Sequence, residues 1–221
     1  MRTGATRLVL VEGIIGIGKS TTAEHIAEAT GGRAYHEFAP DHPIRTAAVD
    51  HLRATYPSAV SQAPPGEPDG RQWRALAERC AAGHHPIVLE ATFLQNSVLP
   101  AFLDGAPQAD VVEHCARIER DLAPARPLLV YLRPTDVAAS LANAHADRGE
   151  PWSSWNLASI TDSAWARARQ LTGTAALVGF WRAWEALVDE LYGRYPYPKR
   201  LFLDPQSDRQ AVLTAVVAAL S

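Results

Sequence analysis

The segment from residue 13 to residue 20, Gly-Ile-Ile-Gly-Ile-Gly-Lys-Ser, constrains this chain more than any other part of its sequence. An apolar run at residues 7–12 precedes it, and a helix-forming run extends from it to about residue 29. In a strand, glycine-rich loop and helix arranged in this order, successive backbone amides point inward. Such amides, together with the N-terminus of the helix, bind phosphate oxygens. The segment therefore predicts a phosphate-binding loop.

The residue types in this loop also indicate which phosphates it holds. The glycines let the backbone curl, Lys19 reaches the β- and γ-phosphates of a nucleotide, and Ser20 offers its hydroxyl to Mg²⁺. A dinucleotide-binding glycine loop does not fit, because the residue after Gly18 is this lysine rather than a spacer. We therefore predict that ATP and Mg²⁺ are bound by Gly13, Gly16, Ile17, Gly18, Lys19, Ser20 and Thr21.

Short apolar runs alternate with helix-like runs along the rest of the chain. Further strands are predicted at residues 33–38, 86–90, 128–132 and 200–204. Helices are predicted at residues 43–56, 71–82, 95–103, 108–122, 136–146, 162–193 and 207–220. This alternation is typical of an α/β fold, a doubly wound five-stranded parallel sheet with helices on both faces. We expect one domain over residues 1–221, with the Pro- and Gly-rich stretch at 57–70 as a loop.

Composition argues against several other classes of protein. The net charge of -3, without a long basic run, is unlike that of a protein whose main partner is a nucleic-acid backbone. No apolar run approaches the roughly 18 residues of a membrane span, and the first one is too short for a signal peptide. Two cysteines are too few for a disulfide framework, and the eight histidines lack metal-site spacing. We expect a cytoplasmic protein with a small-molecule partner, and leave a homodimer open.

The stretch from Val11 to Thr22 resembles the phosphate loop of the deoxynucleoside kinases and of their relatives, the thymidylate kinases. Those families carry an acidic residue and a glycine before the loop, as Glu12 and Gly13 stand here. Weaker similarity continues at the ends of the second, third and fourth strands and in a short lid after the fourth. The resemblance implies a P-loop kinase fold and phosphoryl transfer from ATP in the presence of Mg²⁺.

Three features depart from the family pattern, the first being Ile14, which replaces an asparagine or aspartate common in the loop. Ala91 stands where these kinases carry an arginine after the acidic residue of the third strand. The lid, at about residues 144–156, keeps the single arginine Arg148, where the families usually have several. The resemblance therefore implies the fold and the type of reaction, and leaves the acceptor open.

Acidic residues near the ends of two strands are the candidates for the chemistry. The carboxyl ends of parallel strands lie at one edge of the sheet, where ligands bind. Glu37 is predicted to bind the acceptor and accept the proton of its hydroxyl, the alternative being a surface carboxylate. Glu90 is predicted to hold Mg²⁺ or to bind the acceptor. If the two are close, each raises the pKa of the other, which suits a general base.

Several arginines could supply positive charge around the transferred group. Arg148 is the candidate that closes over the phosphates, the alternative being a solvated charge. Arg133 follows a strand and either contacts the acceptor or the phosphates, or forms a helix-capping salt bridge. Arg167 and Arg169 could supply charge that the short lid lacks.

Trp152 and Trp155 follow the lid in a polar stretch, where core packing explains them poorly. Their rings could stack on a planar acceptor. We therefore predict a kinase that transfers the γ-phosphoryl group of ATP to a hydroxyl or phosphate of a nucleoside-like or other planar compound. An antibiotic-modifying or biosynthetic phosphotransferase on the same fold is one alternative. A P-loop ATPase or nucleotide switch acting through a protein partner is another.

Overall fold

The computed structural model describes residues 6–45 and 70–220 of the 221-residue chain. Its strands are β1 (Leu8–Gly13), β2 (Arg33–Tyr35), β3 (Ile87–Glu90), β4 (Leu128–Arg133) and β5 (Lys199–Leu203). Its helices are α1 (Lys19–Thr30), α2 (Gly70–Ala82), α3 (Leu99–Leu103), α4 (Gln108–Asp121), α5 (Val137–Arg148), α6 (Trp152–Thr161), α7 (Ala164–Ala168), α8 (Gly173–Arg194) and α9 (Arg209–Leu220). The predicted helix at 43–56 and the loop at 57–70 lie almost entirely outside the described residues.

The five strands form one parallel sheet in the order β2-β3-β1-β4-β5. β1 lies at the centre, where Val11 faces Glu90 of β3 and Glu12 faces Tyr131 of β4. Every residue of β1 is buried, as expected for a strand covered by helices on both faces. The predicted doubly wound five-stranded parallel sheet is confirmed. The chain continues from β1 to strands on opposite sides of it, and such folds bind ligands at the carboxyl end of the strand where this change of side occurs.

The long helix α8 covers the sheet near β4 with an apolar stripe. Phe180, Trp181 and Trp184 are buried on it, and the ring of Phe180 lies 5.6 Å from that of Phe102 on α3. Burial of large aromatic side chains is a strong stabilising contribution to a core of this size. In the described ranges, 6–45 and 70–220, no helix combines the length and the apolar character needed to cross a membrane.

The segment predicted as one helix at 162–193 is interrupted. α7 ends at Ala168, and Gln170 in the break has a φ of 55°, which lies outside the right-handed helical region. The apolar pattern continues across the break, so periodicity alone did not reveal it. A further helix, α6, occupies the stretch at 152–161 that the sequence pattern left without secondary structure.

Two elements near the ends of strands are shorter than predicted. β2 stops at Tyr35 because the chain then turns, with the amide of Ala39 donating to the carbonyl of His36 at 2.9 Å. Helix α3 begins only at Leu99, because residues 91–98 form a series of turns. Both irregular segments lie at the carboxyl edge of the sheet. They carry the polar side chains of the candidate site.

Candidate active site

The glycine-rich loop leads directly from β1 into α1. Gly18 precedes the helix with a φ of 95° and supplies no side-chain cap, and the first helical bond runs from the amide of Thr22 to the carbonyl of Gly18 at 3.0 Å. The amides at the start of α1 are therefore left for an anion. Ser20 lies exposed at this helix end. The loop has the form that a phosphate cradle requires.

We expect Gly16→Ala to destabilise the protein by about 1–3 kcal/mol. Gly16 has a φ of +76°, and a Cβ there would lie 2.5 Å from the Cβ of Ala144 on α5. Urea unfolding should show a lower midpoint for this variant. Gly193→Ala is the matched control, because Gly193 is helical and a Cβ there meets nothing within 4 Å. Equal midpoints for wild type and Gly16→Ala would contradict the close packing of loop and helix.

Lys19 is buried, with 7% of its surface exposed, and its Nζ donates a hydrogen bond to the carbonyl of Ile14 at 2.8 Å. Burial lowers the pKa of its ammonium group, while the carboxylates of Glu90, Glu37 and Glu12 act in the opposite direction. The side chain is thus a desolvated cation among three acids. A charge so placed interacts more strongly with phosphate than one in water does.

Glu90 is the last residue of β3 and is buried, with 4% exposed. Its Oε2 accepts a hydrogen bond from the hydroxyl of Ser20 at 3.1 Å. The structure thus brings together the two residues predicted to hold Mg²⁺. Within residues 6–45 and 70–220, no three His, Cys, Asp or Glu side chains cluster closely enough to bind a metal by themselves. Two protein oxygens nevertheless suit Mg²⁺, which usually keeps waters and takes its other ligands from phosphates.

Glu37 lies in the turn after β2 and is half-buried. Its Oε2 accepts a hydrogen bond from the side-chain amide of Asn96 at 2.9 Å. Burial raises the pKa of the Glu37 carboxyl, and the nearby charge of Glu90 raises it further. The two predicted acids therefore interact across the edge of the sheet. A raised pKa brings a carboxylate nearer to the range in which it works as a general base.

The predicted lid arginine lies near this cluster. The guanidinium carbon of Arg148 stands 4.4 Å from the ring centre of Trp152, and its charge acts to lower the pKa values of Lys19 and Glu37. The side chain itself is exposed at the end of α5. One face of Trp152 is thus covered by Arg148, and Trp155 is half-buried one turn further along α6.

The other predicted arginines have partners elsewhere. The Nε of Arg133 lies 3.1 Å from Asp189, and an Nη lies 3.4 Å from Glu185. These ion pairs join the end of β4 to the middle of α8, so they form a salt bridge, though not at a helix cap. Arg167 and Arg169 are exposed on or beside α7, and Arg169 lies over the ring of Trp165 at 4.3 Å. A role of these arginines in binding the acceptor or the phosphates stays a prediction.

Three further residues lie at this edge of the sheet without having been predicted as site residues. Asn96 holds Glu37, and the side-chain amide of Gln206 donates to the carbonyl of Gly16 at 2.8 Å. Glu12 entered only as part of the loop motif, yet its side chain is fully buried beside Lys19. For Glu12, the sequence offered one signal, a charged residue within an apolar strand. For Asn96 and Gln206 it offered none.

The carboxyl of Glu12 should make stability depend on pH. Burial raises the pKa of this group to about 7 from its ordinary value of 4.5. The folded state therefore binds the proton more tightly than the unfolded chain does. The contribution is complete below about pH 4.5 and is lost as pH rises through 7, at a cost of about 3 kcal/mol. Urea unfolding at pH 5 and pH 8 should show wild type losing stability relative to Glu12→Gln, and parallel pH profiles would contradict this.

No family model matches the chain, and no curated protein sequence does. Its structure is similar to that of deoxyadenosine kinase from M. mycoides with bound dCTP, with a TM-score of 0.50 over 96% of this chain and 98% of that one, at 12% identity. A gluconokinase from Sinorhizobium meliloti 1021 gives a TM-score of 0.48 over 97% of this chain and 91% of its own, at 16% identity. Shikimate kinase from Acinetobacter baumannii gives 0.47 over 97% and 94%, at 13% identity. The similarity to the deoxyadenosine kinase, together with the parallel sheet, shows the P-loop kinase-like fold that the sequence resemblance implied.

Proposed function

We propose that the chain is an ATP-dependent small-molecule kinase that transfers the γ-phosphoryl group to a hydroxyl of its acceptor. The observation that carries this proposal is one cluster at the carboxyl edge of the sheet: a buried lysine on the glycine-rich loop, surrounded by carboxylates from the ends of β1 and β3 and from the turn after β2. Phosphoryl transfer needs positioned positive charge and an aligned acceptor more than it needs covalent chemistry. This cluster supplies the positive charge of Lys19 and a carboxylate, Glu37, that can align an acceptor hydroxyl.

Each residue has a defined task in this proposal. Lys19 and the amides at the start of α1 hold the phosphates, and Ser20 with Glu90 holds Mg²⁺, which neutralises phosphate charge when bound. Glu37 accepts the proton of the acceptor hydroxyl. Arg148 closes the lid, at about residues 144–156, over the phosphates. In this proposal residues 1–221 form a single kinase domain.

Charge favours a hydroxyl acceptor over a phosphate acceptor. The described part of the site sets Glu37 and Glu90 close together, where their mutual repulsion already raises the pKa of Glu37. A phosphate acceptor would add negative charge beside them, whereas a hydroxyl can donate its hydrogen to Glu37. Trp152 and Trp155 are the side chains proposed to contact a planar part of the acceptor.

The test is an acceptor screen with ATP and Mg²⁺. Nucleosides, their monophosphates, nucleoside antibiotics and non-nucleoside alcohols such as shikimate are incubated with the protein, and mass spectrometry detects any added phosphoryl group. We expect a phosphorylated alcohol that is absent when Lys19→Ala replaces wild type. ATP hydrolysis stimulated by a protein, with no phosphorylated small molecule, would instead support a nucleotide switch.

A further inference from the structure

The buried carboxylate of Glu12 holds the loop that follows β3. Its Oε1 accepts a hydrogen bond from the amide of Phe93 at 2.7 Å, and its Oε2 accepts one from the amide of Gln95 at 3.2 Å. The amide of Leu94, between them, also stabilises the ionised form. Successive amides that converge on one anion form a nest. The side chain at the end of β1 thus fixes residues 93–95, which lie in no regular helix or strand.

The next residue of that loop holds the proposed base. Asn96 is buried, with 4% exposed, and its side-chain amide donates to Glu37 at 2.9 Å. The backbone amide of Asn96 donates to the carbonyl of Ala91 at 3.0 Å, which closes the turn. Hydrogen bonds at both ends of the 93–96 loop, joined by its backbone, therefore connect Glu12 to the carboxylate of Glu37.

The burial of a carboxylate in this apolar strand indicates that the carboxylate has a task beyond packing. The other side chains of β1 from Leu8 to Val11 are apolar and fully buried, so packing alone would be met by another apolar residue at position 12. Desolvation opposes the ionised form of Glu12, as its raised pKa shows. Among the residues that the structure describes, the groups that favour its ionised form are the loop amides and the charge of Lys19.

We propose that Glu12 is a positioning residue: by clamping the 93–95 amides it places Asn96, and Asn96 aims Glu37 at the acceptor hydroxyl. This inference rests on the proposed function, because Glu37 has a task only in phosphoryl transfer. It gives Glu12 no contact with ATP or with the acceptor. Loss of Glu12 therefore acts on the catalytic step rather than on nucleotide binding.

A double-mutant cycle tests the route through Asn96. We expect Glu12→Gln and Asn96→Ala each to lower kcat by on the order of 10²-fold, with the Kd for ATP nearly unchanged, since misplacement of a catalytic group by about 1 Å has that effect. The double variant should lose little more than either single variant, because both break the same route. Losses that multiply would show that Glu12 and Asn96 act independently and would overturn the proposal.

Amide hydrogen exchange tests the clamp without reference to activity. Glu12→Gln should speed exchange at one of the two amides of Phe93 and Gln95, because glutamine keeps one acceptor oxygen while its amide nitrogen cannot accept a hydrogen bond. Asn96→Ala should leave both amides slow. Glu119→Gln is the matched control, since Glu119 on α4 is also an acid whose pKa burial raises, and it should change neither exchange nor kcat.

The kinetic and the hydrogen-exchange experiments together separate the failure of this inference from that of the proposed function. If wild type phosphorylates no small molecule, the kinase proposal fails, and exchange at Phe93 and Gln95 still decides whether Glu12 holds the loop. Unchanged exchange in Glu12→Gln overturns the inference. Should that variant not fold, Glu12→Asp keeps the charge but withdraws it by one methylene, and a smaller loss of kcat with faster exchange is expected.

Discussion

Replacing Lys19 with alanine is expected to lower kcat for phosphoryl transfer by on the order of 10²–10³-fold. The ammonium group is already desolvated and anchored to the Ile14 carbonyl, so the protein need not reorganise to present it. Its loss also leaves Glu37 and Glu90 facing one another without the cation that lowers the pKa of Glu37. Protonation of Glu37 would then add to the loss of phosphate binding.

Initial rates with an acceptor found in the screen, together with ATP titration, measure this effect. Lys199→Ala is the matched control, because the chain contains two lysines and Lys199 donates to carbonyls at the end of α8, for example that of Tyr192 at 2.6 Å. That variant should keep its activity while losing some stability. Wild-type turnover by Lys19→Ala would be incompatible with the kinase proposal.

Glu37→Gln is expected to slow turnover by on the order of 10²–10⁴-fold, the usual contribution of a general base. The substitution removes basicity and keeps size, and the amide oxygen of glutamine can still accept the hydrogen bond from Asn96. The position of the side chain should therefore survive. ATP affinity should change little, because Glu37 is proposed to act on the acceptor.

Single-turnover rates and ATP titration separate the two quantities. Glu24→Gln serves as control, since Glu24 lies exposed on α1 and pairs with His36 at 3.1 Å in the segment that leads to Glu37. It should leave both rate and affinity close to those of wild type. Equal losses of rate and of ATP affinity in Glu37→Gln would assign that residue a structural role.

The fold could be predicted from the sequence because its signals are local. The run at residues 7–12 reads as a buried strand, and the glycines with Lys19 and Ser20 determine the loop that follows. The place of Glu90 at the carboxyl edge of the sheet also followed, from the rule that parallel strands end at one edge, whereas its hydrogen bond with Ser20 was not predicted.

The hydrogen bonds that hold the predicted acids in place could not be predicted from such local signals. Glu12 and Phe93 are 81 positions apart, and their contact depends on the register of β1 against β3. The same holds for Asn96 and Glu37, which are 59 positions apart. Patterns of apolar residues define elements, whereas hydrogen bonds between irregular segments follow from how those elements dock.

The packing of α5 on the phosphate loop also has a mechanical consequence. Ala144 touches the space over Gly16, and Arg148 lies one turn further along the same face of the helix. Gly16 and Arg148 are therefore linked through one turn of a single helix, which ties the position of the guanidinium to the backbone of the donor loop. Residues after Gly149 lie outside this helix, so substitutions there leave the contact of Ala144 with Gly16 in place while changing what surrounds Arg148.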